Sequence, residues 1–332
     1  MHETGDKGGT QEGGVASLDV SLVATAAVRG RNVGDRVFKG VTFLFALGVF
    51  ALVFLMAYEM AHGSQETLSE FGLSFITGRV WDPVSGEFGA LPFLYGTVFS
   101  SCIALLLAIP LGLGVALFLS EMAPRWLERP ISFLVELLAA IPSIVYGLWG
   151  IFVLVPWLRT DVEPVLSKSL GFLPLFRGAP YGFGMLAAGL ILTIMVLPII
   201  TSISRDVMKS SPRTYREAAL ALGATPWETA KIVLTSGRSG ILGAALLGLG
   251  RAVGETMAVT MVIGNSPQIS ASLFDPGYSM ASVLANEFAE AISSMHVSAL
   301  VEIALLLFLV TVALNGLARA IVWSVTRRFP QS

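Results

Sequence analysis

Long apolar runs separated by short polar connections dominate the chain. Six stand out: about Val37 to Tyr58, Leu91 to Met122, Ile131 to Leu158, Gly182 to Arg205, Ser239 to Gly264 and Ser298 to Trp323. At about 1.5 Å per residue each can cross a hydrocarbon core roughly 30 Å thick. Strands are excluded for runs this long, because a lone spanning segment must satisfy its own backbone hydrogen bonds and only a helix does so. The pattern predicts an all-α, polytopic membrane protein of about six transmembrane helices over residues 37–330. It predicts no second domain: 159–181 and 265–297 read as outer loops and 206–238 as a cytoplasmic loop. Residues 1–36 begin with a stretch rich in Gly, Ser and Thr that lacks an apolar block with a small-residue cleavage site. They read as a disordered cytoplasmic tail rather than a signal peptide.

Composition supports a membrane protein. Only 13% of the residues are charged, against roughly 25% in soluble domains. The net charge of −2 gives no global basic field, so nucleic acid is not an expected partner. The distribution of Lys and Arg is informative. The segment before the first helix carries five (Lys7, Arg29, Arg31, Arg36, Lys39), the connection at 123–130 two (Arg125, Arg129), the loop at 206–238 with its flank six (Arg205, Lys209, Arg213, Arg216, Lys231, Arg238) and the C-terminal end three (Arg319, Arg327, Arg328). The opposite side has four: Arg79, Arg159, Lys168 and Arg177. The positive-inside rule therefore places both termini and the 206–238 loop in the cytoplasm.

The single cysteine, Cys102, lies in an apolar run and reads as a small buried side chain, with no disulfide or metal spacing. His2, His62 and His296 lie outside the runs and receive no role, so neither a metal nor another cofactor is expected. No Gly-Lys dipeptide occurs, which rules out a phosphate-binding loop of the G-x-x-x-x-G-K-[ST] type. Transport driven by ATP would need its motor on another chain.

In the cytoplasmic loop, Tyr215 to Leu222 are good helix formers, Gly223 can end a helix, and Thr225-Pro226 with Glu228 can start another. Two short helices with a turn are expected. Glu217, Ala218 and Ala219, then three residues and Gly223, resemble the EAA loop of permeases in bacterial ATP-driven importers, whose short helix docks into a groove on the ATPase subunit. The resemblance implies that Glu217, Ala218, Ala219 and Gly223 couple to an ATPase. Further on the pattern fades: Val233, Leu234, Thr235 and Ser236 stand where the family has Ile-x-Leu-Pro.

The fifth run holds two charges at membrane depth. Arg251 lies thirteen residues after Arg238, close to the midplane of a spanning helix. An arginine there costs about 2.5–3.5 kcal/mol on insertion scales, so it should face protein or water. Glu255 follows one turn later on the same face and can neutralise it, or hold it in place for a permeating oxyanion that its planar donors would meet. Gly250 and Gly254 form a G-x-x-x-G that permits close helix contact. Glu136 and Glu302 lie near expected helix ends and read as interface groups.

Four longer stretches carry a more specific resemblance: Trp81-Asp82-Pro83 through Tyr95-Gly96-Thr97, Ala139 to Gly150 (AAIPSIVYGLWG), Gly250 to Ala258 with its Gly-Glu-Thr, and Met280 to Glu290 (MASVLANEFAE). From about residue 35 onward the chain resembles the permease subunits of phosphate-specific ATP-driven importers. That resemblance implies a type I importer permease core of the MetI-like kind in the bacterial inner membrane. It also implies phosphate as substrate, and Arg251 and Glu255, with Thr256 beside them, as translocation residues. The partners implied are a second, different permease, two copies of an ATPase and an extracytoplasmic phosphate-binding protein, beside the membrane lipid. A permease for sulfate or molybdate, and an ion-coupled secondary transporter, are the alternative readings.

Overall fold

The computed structural model describes residues 33–327. Most of the tail expected at 1–36 lies outside them, but Val33 to Arg36 already belong to the first helix. The chain divides into two compact units, Met1–Met56 and Ala57–Ser332. The first unit contributes most of α1 (Val33–Gly63), whose span Gly34–Gly63 is the N-terminal membrane candidate.

The second unit opens with two short helices, Gln65–Phe71 and Ser74–Thr77, and a hairpin of β1 (Trp81–Asp82) and β2 (Glu87–Phe88), in which Trp81 pairs with Phe88. Its helices are α2 (Leu91–Leu117, extended by a π turn to Met122), α3 (Arg125–Ala140), and α4 (Ser143–Trp149, continued by alternating π and α turns as far as Leu170). There follow α5 (Met185–Ser210), α6 (Arg213–Ala221), α7 (Pro226–Ser236), α8 (Arg238–Val253), α9 (Met257–Val262), α10 (Met280–Glu287) and α11 (Ser294–Arg327). Among the described residues five helices are long and apolar enough to span, and α7 with α8, bent by 68° at Gly237, makes a sixth if the pair counts as one.

Helix α5 is the centre of the bundle. Its most apolar window is 67% buried, against 28–33% for the spans of α2, α4 and α11. A helix apolar all round is one that other helices enclose, and α5 packs against α2, α3 and α8. Small residues set the approach. A Cβ on Gly248 of α8 would sit 2.7 Å from Val196 Cγ1 of α5, so only glycine allows this spacing.

Two expected runs are interrupted. The run at 131–158 breaks at Ile141-Pro142: Ile141 is extended (φ −67°, ψ 130°), as the residue before a proline prefers, and Pro142 has no N–H to continue the ladder. The segment before the break is amphipathic, with Trp126, Phe133 and Leu137 outward and Glu128 and Glu136 paired to Lys209 and Arg205 of α5. The run at 239–264 breaks at Gly254 to Thr256, between α8 and α9.

Three side chains depart from their sequence reading. Cys102 is exposed, on an apolar groove of about 490 Å³ with Leu94, Val98 and Leu314; α2 is apolar on every face, so its pattern does not say which face is inside. Glu302 is buried rather than at an interface, because α11 begins at Ser294 and places it two turns in; its Oε2 has no hydrogen-bond partner. His296 is 8% exposed and packs against the rings of Trp81 and Phe88. Glu287 ties this cluster together, accepting from Trp81 Nε1 at 2.8 Å and lying 3.2 Å from His296 Nε2.

Candidate translocation site and coupling loop

Helix α8 ends where its sequence turns to Val253-Gly254. The Gly254 N–H still reaches the Gly250 carbonyl at 3.3 Å and the Glu255 N–H reaches Ala252 at 3.4 Å, but the α-helical ladder stops there. Gly254 to Thr256 are outside both helices, and α9 starts at Met257.

At this break Arg251 Nη2 lies 3.7 Å from Glu255 Oε2. The two side chains differ in environment: the Arg251 side chain is 47% exposed and that of Glu255 6%. Glu255 Oε1 also faces the Ala258 N–H at 3.4 Å, so the same carboxylate restrains the guanidinium and closes the first turn of α9. Thr256 is half-buried; its carbonyl accepts from the Thr260 N–H at 3.0 Å and the Thr260 hydroxyl at 2.7 Å. Two of the three residues selected from sequence, Arg251 and Glu255, thus meet at the helix break, a cation open to its surroundings and an anion fixed behind it, while Thr256 is their neighbour in sequence and bonds to Thr260 instead. Chemically this can bind an oxyanion by charge and by the planar donors of the guanidinium. It offers no nucleophile with a base.

One further cation emerges from the structure. A cleft of about 490 Å³ beyond the other end of α9 is lined by Arg159, Tyr181, Thr260 and Asn265. Arg159 reads in the sequence only as an outer-side charge; nothing in its local pattern signals that α4 and α9 bring it to a cleft. Helix α9 has six residues and spans about 9 Å, which links the cleft to the break.

In the loop at 206–238, α6 and α7 stand as two short helices joined at Gly223, whose φ of +81° is the left-handed value that glycine adopts without strain. The Ala224 N–H caps the Ala219 carbonyl at 3.0 Å. Thr225 and Glu228 form a reciprocal capping box that starts α7. Ala219 is buried, while Glu217, Ala218 and Gly223 are exposed, beside Leu222 at 89% and Trp227 at 67% exposure. Large apolar side chains this open beside an acidic group make a surface suited to a protein partner.

Comparison with known proteins shows the family. The model of the binding-protein-dependent transport system inner membrane component matches residues 108–327. The phosphate transport system permease protein PstC of Mesorhizobium japonicum is 46% identical over 308 residues, covering 91% of this chain and 94% of its own. The protein of the same name from Haemophilus influenzae is also 46% identical, over 87% of this chain and 93% of its own. Among solved structures, the inward-facing MetNI methionine ABC transporter has a chain that superposes with a TM-score of 0.50 at 19% identity, covering 73% of this chain and 99% of that one, a likeness of fold alone. With 220 consecutive residues in the family model, and with relatives this similar along nearly their whole length, the chain belongs to the binding-protein-dependent transport system inner membrane component family, alongside the PstC permeases.

Proposed function

We propose that this chain is the PstC-type permease subunit of an ATP-driven phosphate importer and forms half of its translocation pathway. The observation that carries the reading is the 46% identity to PstC permeases over nine-tenths of the chain, which includes the stretch holding Arg251, Glu255 and Thr256. The chain is not itself the enzyme; ATP hydrolysis belongs to a separate subunit. Its partners are a PstA-like second permease, a PstB-like ATPase dimer and a PstS-like extracytoplasmic phosphate-binding protein. It sits in the bacterial inner membrane with both termini in the cytoplasm.

The mechanism proposed draws on this geometry. A phosphate crossing hydrocarbon needs a compensating cation, and Arg251 supplies one at the break between α8 and α9. Glu255 holds the guanidinium and keeps it from binding the anion too tightly. Closure of the ATPase pair drags α6 through Glu217, Ala218, Ala219 and Gly223, and the helices that follow rock between inward and outward openings. One arginine cannot sense whether an oxyanion carries a proton, so discrimination against sulfate falls to the binding protein.

The test is uptake of radiolabelled phosphate, with excess sulfate as competitor, in cells lacking this chain and in the same cells given the unsubstituted chain or Arg251→Ala. Uptake should return with the unsubstituted chain, ignore sulfate and stay absent with Arg251→Ala. Equal uptake with and without the chain would remove phosphate as the substrate; competition by sulfate or molybdate would turn the reading to those anions. Loss of uptake on adding an uncoupler at preserved ATP would favour an ion-coupled transporter instead.

A further inference from the structure

Arg216 immediately precedes the acidic residue of the coupling loop, yet its side chain turns away from the loop's exposed face. Its Nε donates to Glu121 Oε2 at 2.9 Å and its Nη2 to Glu121 Oε1 at 2.7 Å, a bidentate pair. The donors left over are not idle: Nη1 reaches the Ser211 carbonyl at 3.0 Å and Nη2 the Met208 carbonyl at 2.9 Å. One guanidinium thus ties together three elements: α6, from which it projects, the C-terminal end of α5, and the π turn Phe118–Met122 that ends the α2 span. Neither partner is loose, since the side chain of Glu121 is 10% exposed and that of Arg216 22%. The hydrogen bonds to Glu121 hold the Arg216 guanidinium above its ordinary pKa.

The other ion pairs at this end of the molecule do not do the same. Lys209 with Glu128, and Arg205 with Glu136, join α5 to α3 and leave α6 out. Among the described residues, Arg216–Glu121 is the ion pair that connects α6 to a spanning helix. Two planar bonds in parallel resist both sliding and rotation, which a single lysine contact would not.

We propose that Arg216 and Glu121 form a strut through which displacement of α6 is passed to the cytoplasmic end of α2 and α5. They are positioning residues, acting on the pathway through the helices they join. The inference rests on the reading of the chain as an importer permease, but not on which anion is carried.

The experiment uses the whole complex in proteoliposomes, with the chain unsubstituted or carrying Glu121→Gln, Arg216→Gln or both. Three quantities are read: ATPase subunit retained, basal ATP hydrolysis, and stimulation of hydrolysis by the binding protein loaded with phosphate or, in parallel, with sulfate. Each single variant should keep retention and basal hydrolysis while stimulation falls about tenfold, and the double variant should fall no further than the singles, because all three remove the same link. Stimulation at the unsubstituted level in either single variant, a fall that only follows lost ATPase subunit, or a double variant reduced by the product of the singles would each overturn the strut. Stimulation by sulfate-loaded rather than phosphate-loaded protein would instead remove phosphate as the substrate, and the strut is then judged in that arm.

Discussion

Arg251 and Glu255 face each other at 3.7 Å across the end of a helix, with the Glu255 side chain 6% exposed and that of Arg251 47%. The buried member does two things, since its second oxygen faces the Ala258 N–H. These tasks are separable. Glu255→Gln keeps an oxygen for Ala258 and loses the charge, whereas Glu255→Ala loses both. Thermal unfolding in detergent should show Glu255→Ala less stable than Glu255→Gln by about 1 kcal/mol, the worth of one hydrogen bond. Equal stability would mean that the Ala258 contact contributes nothing.

Arg251→Lys should retain charge and lose the planar donors. Phosphate uptake is expected to fall about tenfold with little change in the amount of assembled complex, less severely than with Arg251→Ala. Full activity of Arg251→Lys would reduce the guanidinium to a point charge.

At the coupling loop, Glu217→Arg reverses the exposed charge without touching the buried Ala219. Co-purification of the ATPase subunit should drop by about tenfold or more through like-charge or unmatched contacts at the interface. Unchanged assembly and transport would place docking elsewhere on the chain.

Gly96 of α2 lies directly against the Tyr278 carbonyl, which an added Cβ would overlap, with Tyr278 C at 2.8 Å. Backbone cannot rotate out of the way as a side-chain tip can. Gly96→Ala should destabilise the protein by about 2 kcal/mol or more, while Gly114→Ala, which meets nothing within 4 Å, should not. Melting temperatures of the two variants measure the contrast.

Glu228 accepts hydrogen bonds from the Thr225 N–H and hydroxyl, and these hold its carboxyl below the ordinary glutamate range. A lowered folded pKa contributes stability that is fully present above the unfolded value and lost as pH falls through the folded one. The stability difference between the unsubstituted chain and Glu228→Gln should therefore be constant near neutrality and shrink below about pH 4. Unfolding curves across that range test the sign; a difference that grew in acid would contradict it.

Much of the architecture was legible from apolar run length, because a bilayer fixes how long a spanning helix must be. The breaks were harder to read. Pro142 and the extended Ile141 interrupt a run that hydropathy alone leaves whole, whereas Pro110 and Pro198 lie inside helices that continue past them. Gly254 looked like a packing residue and stands at a helix end. Faces were illegible for a related reason: an all-apolar helix has no period to read, so the exposure of Cys102 had no signal in sequence. Arg251 and Glu255 stand out in the sequence because charges at membrane depth are expensive. Glu121, Arg216 and His296 fell outside the runs' interiors, where a charge or a histidine costs little and so attracts no notice.

The interrupted span at Gly254 to Thr256 has a consequence for the solvent. Peptide groups freed from a helix must find other partners, and acyl chains have none to give. Backbone of this kind at bilayer depth is stable only against protein or water, so the interruption marks a place from which lipid is excluded. Wherever the neighbouring subunit leaves it uncovered, water must follow. On that argument the aqueous phase is expected to reach as far as Gly254 to Thr256 before any gate moves.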